Sequence, residues 1–167
     1  MIIHNALSES AVLQDAIVVE QGAWAVESTR VLRTTLGSCV SVCLFDPIVG
    51  VGGMNHYVYP PRSTGFDSRL SSNTFSGDLC MTGLLEAVLR AGAKKANLHA
   101  KAFGGGRMFE HEDLMSVGKR NVSYAKYWLE NAGIPLDQYD FHGGYARKLF
   151  FYPRTGLHLC HRLPMAI

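Results

Sequence analysis

The sequence predicts an α/β (α+β) sandwich, a strand-rich single domain with two main helices. Three observations lead there. From Cys39 to Phe45 the residues alternate, with Val40, Val42 and Leu44 on one side and Cys39, Ser41 and Cys43 on the other, the two-residue period of a strand. Two later stretches space their apolar residues by three and four instead, as an amphipathic helix does. Finally, 167 residues that are 47% hydrophobic and 18% charged suffice for one packed core without disulfides or a structural metal.

Residues 16–26 and 30–36 carry the β-branched and aromatic content of strands. Strand 39–45 follows Gly37-Ser38, Asp46-Pro47 starts a turn, and residues 49–59 resume as a second strand. These two segments form a hairpin that brings Cys39 and His56 towards each other. Residues 60–76 are polar and rich in Ser and Pro, the composition of an exposed loop. A helix is predicted over 78–91, burying Met81, Leu84, Leu85 and Val88 and stopping at Gly92. Residues 96–103 read as a strand running into Gly104-Gly105-Gly106. A second helix fits 116–131, burying Val117, Tyr124, Ala125, Trp128 and Leu129 and ending at Gly133 and Pro135. From Tyr139 onward, two or three short strands are joined at Gly143-Gly144 and Thr155-Gly156.

Sixteen basic against 14 acidic residues leave a net charge of +2, and the basic residues are scattered, so nucleic acid is not an expected partner. No 18-residue apolar run exists, and the N-terminal MIIHNALSESAVLQDA lacks a signal peptide's basic flank and long apolar stretch. A cytoplasmic protein with Cys39, Cys43, Cys80 and Cys160 as reduced thiols is the expectation.

Taken alone, each cysteine reads as a small buried hydrophobe. Cys39 stands apart because it follows Gly37-Ser38, where a tight bend can turn successive N–H groups towards a developing oxyanion. A thiol becomes a strong nucleophile as the thiolate, so it needs a base. His56, across the hairpin, is the candidate base and later the acid. Thr34 or Thr35, just upstream, can orient the imidazole through a hydroxyl. Gly104-Gly105-Gly106-Arg107 lacks the Lys-Ser/Thr continuation of a phosphate loop, so a close backbone approach is expected there. CxxC and HExxH are absent and Cys160-His161 are adjacent, so neither a metal nor another cofactor is expected.

Taken together, these motifs are a recognisable set. Leu36-Gly37-Ser38-Cys39-Val40, Phe45-Asp46-Pro47, Gly52-Gly53-Met54-Asn55-His56 and Pro60 resemble the signature of the CheD family of chemoreceptor glutamine deamidases. Gly104-Gly105 with Met108-Phe109, Gly118-Lys119-Arg120-Asn121-Val122, Gly143-Gly144 and Arg147-Lys148 extend the resemblance over roughly residues 20 to 163. It implies a Cys–His–Thr triad on Cys39, His56 and one upstream threonine, with Thr34 preferred and Thr35 open. It further implies hydrolysis of selected glutamine side chains on methyl-accepting chemotaxis receptors to glutamate and ammonia; a cysteine nucleophile would do this through a thioester, an intermediate that hydrolysis of a receptor methyl ester would share. A CheC-type phosphatase is an implied partner, and the implied fold is similar to the catalytic domain of deamidating toxins. Ala146 departs from the family pattern, which usually has Gly there, and the 60–76 loop is longer than in a minimal member. Two rivals stand beside this reading: a non-catalytic adaptor for receptors or a phosphatase, docking through the 60–76 loop or Phe109, and a thiol protease.

Overall fold

The computed structural model describes residues 12–61, 73–109 and 116–164. Nine strands are found among them: β1 (Ile17–Val18), β2 (Ala23–Glu27), β3 (Leu32–Leu36), β4 (Val40–Asp46), β5 (Val51–His56), β6 (His99–Gly104), β7 (Leu136–Phe141), β8 (Tyr145–Tyr152) and β9 (Leu157–Pro164). Two long helices, α1 (Gly77–Arg90) and α2 (Val117–Ala132), interrupt the strands. One sheet has the order β2-β5-β4-β6-β7 and the other β1-β3-β8-β9.

The alternation along β4 explains the layering. Val40, Val42 and Leu44 face the helices, packing with Met81, Leu84 and Val88 of α1 and with Val122, Ala125 and Leu129 of α2. Cys39, Cys43 and Phe45 face the opposite way, joining Leu32 and Leu36 of β3 and Leu149 and Phe151 of β8 between the two sheets. The order of layers is therefore helices, five-stranded sheet, four-stranded sheet, and every residue of β4 is buried. A strand buried on both faces reads as nearly continuous apolar sequence, as this one does.

The predicted elements fall close to the observed ones, with three corrections. Residues 16–26 are not one strand: a turn at Gln21-Gly22 divides them into β1 and β2, which join different sheets. Val117 was expected in the core but is exposed, and Tyr124 and Trp128 are only half-buried; the buried stripe of α2 is Gly118, Asn121, Val122, Ala125 and Leu129. The last group of strands begins at Leu136 rather than Tyr139, paired in parallel with β6. Ser116 caps α2 by accepting from the Lys119 N–H, and Gly133, the expected stop, closes it at φ 70°. Of the expected 60–76 loop, residues 62–72 lie outside the described residues, while Tyr59 and Ser76 form a bridge at its base.

The β4–β5 hairpin turns at Asp46, which is buried and serves as a local scaffold. Its Oδ1 accepts from the N–H groups of Ile48 and Val49, and its Oδ2 from that of Lys94. Burial opposes the charged form, but these donors outweigh it and hold the carboxyl below its ordinary range. The turn that brings β5 back along β4 is thus tied to the segment after α1.

Candidate active site

Pairing places the candidate residues. Cys43 faces Met54 and Val40 faces Tyr57, so the shared register sets Ser41 across from His56 and Cys39 across from Val58. Directly opposed residues share a face, which puts Cys39 and His56 on the inter-sheet side as diagonal neighbours. Such neighbours lie roughly 7–8 Å apart, and no hydrogen bond joins the Cys39 thiol to His56 Nε2 in this structure. Within this stretch the ladder is opened: the Val42 N–H donates to the Asn55 side chain at 2.8 Å.

Thr34 comes to the same point from the other sheet. Leu32, Thr34 and Leu36 of β3 face inwards, whereas Thr35 is exposed. Thr34 Oγ1 lies 2.7 Å from His56 Nδ1 and donates to the Val19 carbonyl at 2.7 Å. The hydroxyl has one proton, and Val19 can only accept, so the proton between Thr34 and His56 belongs to Nδ1. That assignment leaves Nε2 with its lone pair. Nε2 is buried and has no hydrogen-bond partner among the described residues.

Burial decides the protonation states. His56 is 3% exposed, and desolvation pushes its pKa down to about 4, with the Val19 carbonyl working the other way. Cys39 is 7% exposed, and burial pushes its thiol up to about 11, partly offset by its own backbone N–H. Thiol and imidazole are therefore both uncharged at neutral pH. All four cysteines are free. Cys43 is fully buried and also raised by desolvation, and Cys80, on the helix side, is pushed up to about 12.

The turn before Cys39 is clamped from two directions. The Gly105 N–H donates to the Cys39 carbonyl and the Gly106 N–H to the Gly37 carbonyl, each at 2.9 Å. Gly104 sits at φ 119°, and a Cβ there would run into the Cys39 carbonyl oxygen, so this position requires glycine. The glycine triplet thus makes the close backbone approach expected of it, and the backbone it approaches is that of Cys39.

Two residues given no chemical role by the sequence reading complete the clamp. Arg147, fully buried on β8, donates to Asp140 Oδ2 at 3.1 Å, to the His142 carbonyl at 2.5 Å and to the Gly104 carbonyl at 3.4 Å. Asn121 of α2 donates to the carbonyls of Ser38 at 3.0 Å and Val58 at 2.9 Å. Both stand in motifs that carry the family resemblance, and Asn121 gave a further signal as a polar residue within the apolar stripe of a helix. A cavity of about 240 Å³ lined by Ser28, Thr29, Arg30, Tyr152 and Arg154 lies beside the start of β3 and includes none of the candidate residues.

Comparison with known proteins identifies the family of the chain. A family model described as CheD chemotactic sensory transduction matches residues 60–162. The chain is 44% identical over 161 residues to a protein of Dechloromonas aromatica (strain RCB) named probable chemoreceptor glutamine deamidase CheD 2, covering 96% of this chain and 81% of that one. It is 40% identical over 130 residues to the probable chemoreceptor glutamine deamidase CheD of Herminiimonas arsenicoxydans, covering 78% of this chain and 64% of that one. Among solved structures, the Bacillus licheniformis hypothetical protein YfiH gives a TM-score of 0.46 at 14% identity, covering 70% of this chain and 49% of that one, and carries no functional argument. The family model begins beyond Thr34, Cys39 and His56, but the Dechloromonas alignment is long enough to include all three. With matches of this extent, the chain belongs to the CheD family.

Proposed function

We propose that this chain hydrolyses the side-chain carboxamide of selected glutamines on methyl-accepting chemotaxis receptors. Cys39 is the nucleophile, His56 the base and then the acid, and Thr34 the residue that orients the imidazole. The observation that carries the reading is the Thr34–His56 contact at 2.7 Å, which fixes the proton on Nδ1 and leaves Nε2 as a base on the face Cys39 shares. The names of the relatives supply the substrate class.

The reaction starts from neutral partners. As the Cys39 sulfur forms its bond to the carboxamide carbon, its proton passes to His56 Nε2 and the carbonyl electron pair moves onto oxygen. Backbone N–H groups of the Gly37–Cys39 turn are the candidate donors to that oxyanion. When the pair returns, the C–N bond breaks, and the proton on His56 leaves with ammonia. Water then attacks the thioester, giving its proton to His56, which returns it to sulfur as glutamate is released. Thr34 keeps the ring in one orientation through both halves.

A receptor glutamyl methyl ester would form the same thioester with methanol as the leaving group. The site of action is the cytoplasmic part of the receptor, and a CheC-type phosphatase is a second proposed partner on the family resemblance alone. Incubating a receptor cytoplasmic fragment with the chain, followed by peptide mass spectrometry and an ammonia assay, tests the proposal. Glutamine-to-glutamate conversion matched by equimolar ammonia is expected; an unchanged fragment would refute it.

A further inference from the structure

Asn121 lies in the middle of the buried stripe of α2, between Gly118 and Ala125, and is completely shielded from solvent. An amide in such a place costs stability unless its polar atoms are bonded. Its nitrogen is bonded twice, to Ser38 and Val58, and both acceptors are carbonyls, so the amide can face them only with its NH2 end. Its Oδ1 is buried with no partner among the described residues. One end of this amide is therefore satisfied at the expense of the other.

The two acceptors flank the nucleophile. Ser38 precedes Cys39, and Val58 faces it across the strand pair by the register of the Val40–Tyr57 bridge. The backbone carbonyl of Asn121 adds a third tie, accepting from the Tyr57 hydroxyl at 2.5 Å. Gly118, one turn earlier, allows the approach: a Cβ there would stand 2.7 Å from the Gly105 carbonyl oxygen and 2.8 Å from that of Gly106. α2 is thus held against the nucleophile's turn by a small residue and fastened by an amide.

The Ser38 carbonyl and the Cys39 N–H belong to a single planar unit. No cis peptide bond is present among the described residues, so in that unit C=O and N–H point in opposite directions. Holding the carbonyl towards α2 holds the Cys39 N–H away from it, on the side where the thiol lies. The influence of that N–H on the Cys39 thiol agrees with such a placement. Donation to the carbonyl also polarises the peptide and strengthens its N–H as a donor.

We propose that Asn121 is a positioning residue for the oxyanion, aiming and polarising the Ser38–Cys39 peptide so that the Cys39 N–H meets the developing negative charge. The inference rests on the amidase reading above and adds to it a source for the oxyanion donor. Asn121 forms and breaks no covalent bond. Its action is confined to the step in which the carbonyl pair moves onto oxygen, and to the matching step of thioester hydrolysis.

Two reactions of the same sulfur separate this role from a structural one. Alkylation by iodoacetamide displaces iodide from a saturated carbon and creates no oxyanion, whereas deamidation of a receptor glutamine does. For Asn121→Ala, kcat for deamidation should fall ~tenfold or more, with KM and the pH dependence of Cys39 alkylation changed less than ~twofold. Deamidation and alkylation falling together, or kcat holding at the wild-type value, would overturn the inference. If Asn121→Ala does not fold, Asn121→Asp, of the same size but with fewer donors, carries the same comparison. Failure of the wild type to deamidate at all would instead remove the amidase reading and this inference with it, so the two failures are distinguishable.

Discussion

Thr34 Oγ1 meets His56 Nδ1 at 2.7 Å across the space between the two sheets, and the same hydroxyl donates to Val19 at 2.7 Å. The order of these two bonds fixes the tautomer of the imidazole. Thr34→Val keeps the volume and removes the relay, so His56 loses both orientation and its acceptor. Deamidation should slow by roughly 10- to 100-fold, part of what a positioned general base contributes. Thr34→Ser should stay within a few fold of wild type. Steady-state rates for the two variants check this, and equal rates would remove Thr34 from the mechanism.

The pH profile follows from the neutral pair. Below about 4 the imidazole of His56 is protonated and cannot accept the thiol proton; above about 11 Cys39 has already ionised and His56 has no proton to give the leaving ammonia. Between these limits kcat/KM should be flat where the protein remains folded. A measured acid limb centred near the ordinary histidine value of 6.5 would contradict the burial of His56.

Stability should respond to the same group. The folded-state pKa of His56 lies below its ordinary 6.5, so between that value and about 4 the unfolded chain binds a proton that the folded chain does not. The contribution is therefore complete above 6.5 and is lost as pH falls towards 4. At about 1.4 kcal/mol per unit, the loss amounts to ~3 kcal/mol. Urea unfolding at neutral and acid pH should show a steeper fall for wild type than for His56→Gln; parallel falls would be inconsistent with a buried neutral imidazole.

Gly104 is predicted to tolerate no side chain. Gly104→Ala combines a left-handed φ of 119° with a collision against the Cys39 carbonyl oxygen. A loss of at least about 2 kcal/mol in stability is expected, together with a lower rate, because the displaced atom belongs to the backbone of Cys39, the proposed nucleophile. Gly144→Ala, whose Cβ meets nothing within 4 Å, should change stability by less than about 0.5 kcal/mol. Thermal denaturation of the two variants makes the comparison.

Much of this architecture was legible in particular residues. The alternation of Val40, Val42 and Leu44 against Cys39, Ser41 and Cys43 is the division between the two cores, because a two-residue period leaves a strand no other choice of faces. Thr34 and Thr35 could have been separated by the same period, since Leu32 and Leu36 lie on Thr34's side. The split of 16–26 was less accessible: both halves have strand composition, and only pairing with different sheets divides them. Asn121 and Arg147 stood out as residues, but the groups they bind could not be read, for a related reason. Each acts on backbone carbonyls distant in sequence, Ser38 and Val58 for one and Gly104 for the other, and carbonyls leave no mark in a residue pattern.

The account stands most directly on Cys39 as the nucleophile. Acid quenching of the enzyme during turnover of a receptor fragment, followed by mass spectrometry of the Cys39 peptide, should capture a thioester-linked glutamyl adduct. Wild type should show that adduct, and Cys39→Ala should show neither adduct nor conversion of glutamine to glutamate. Conversion at the wild-type rate by Cys39→Ala would contradict the account.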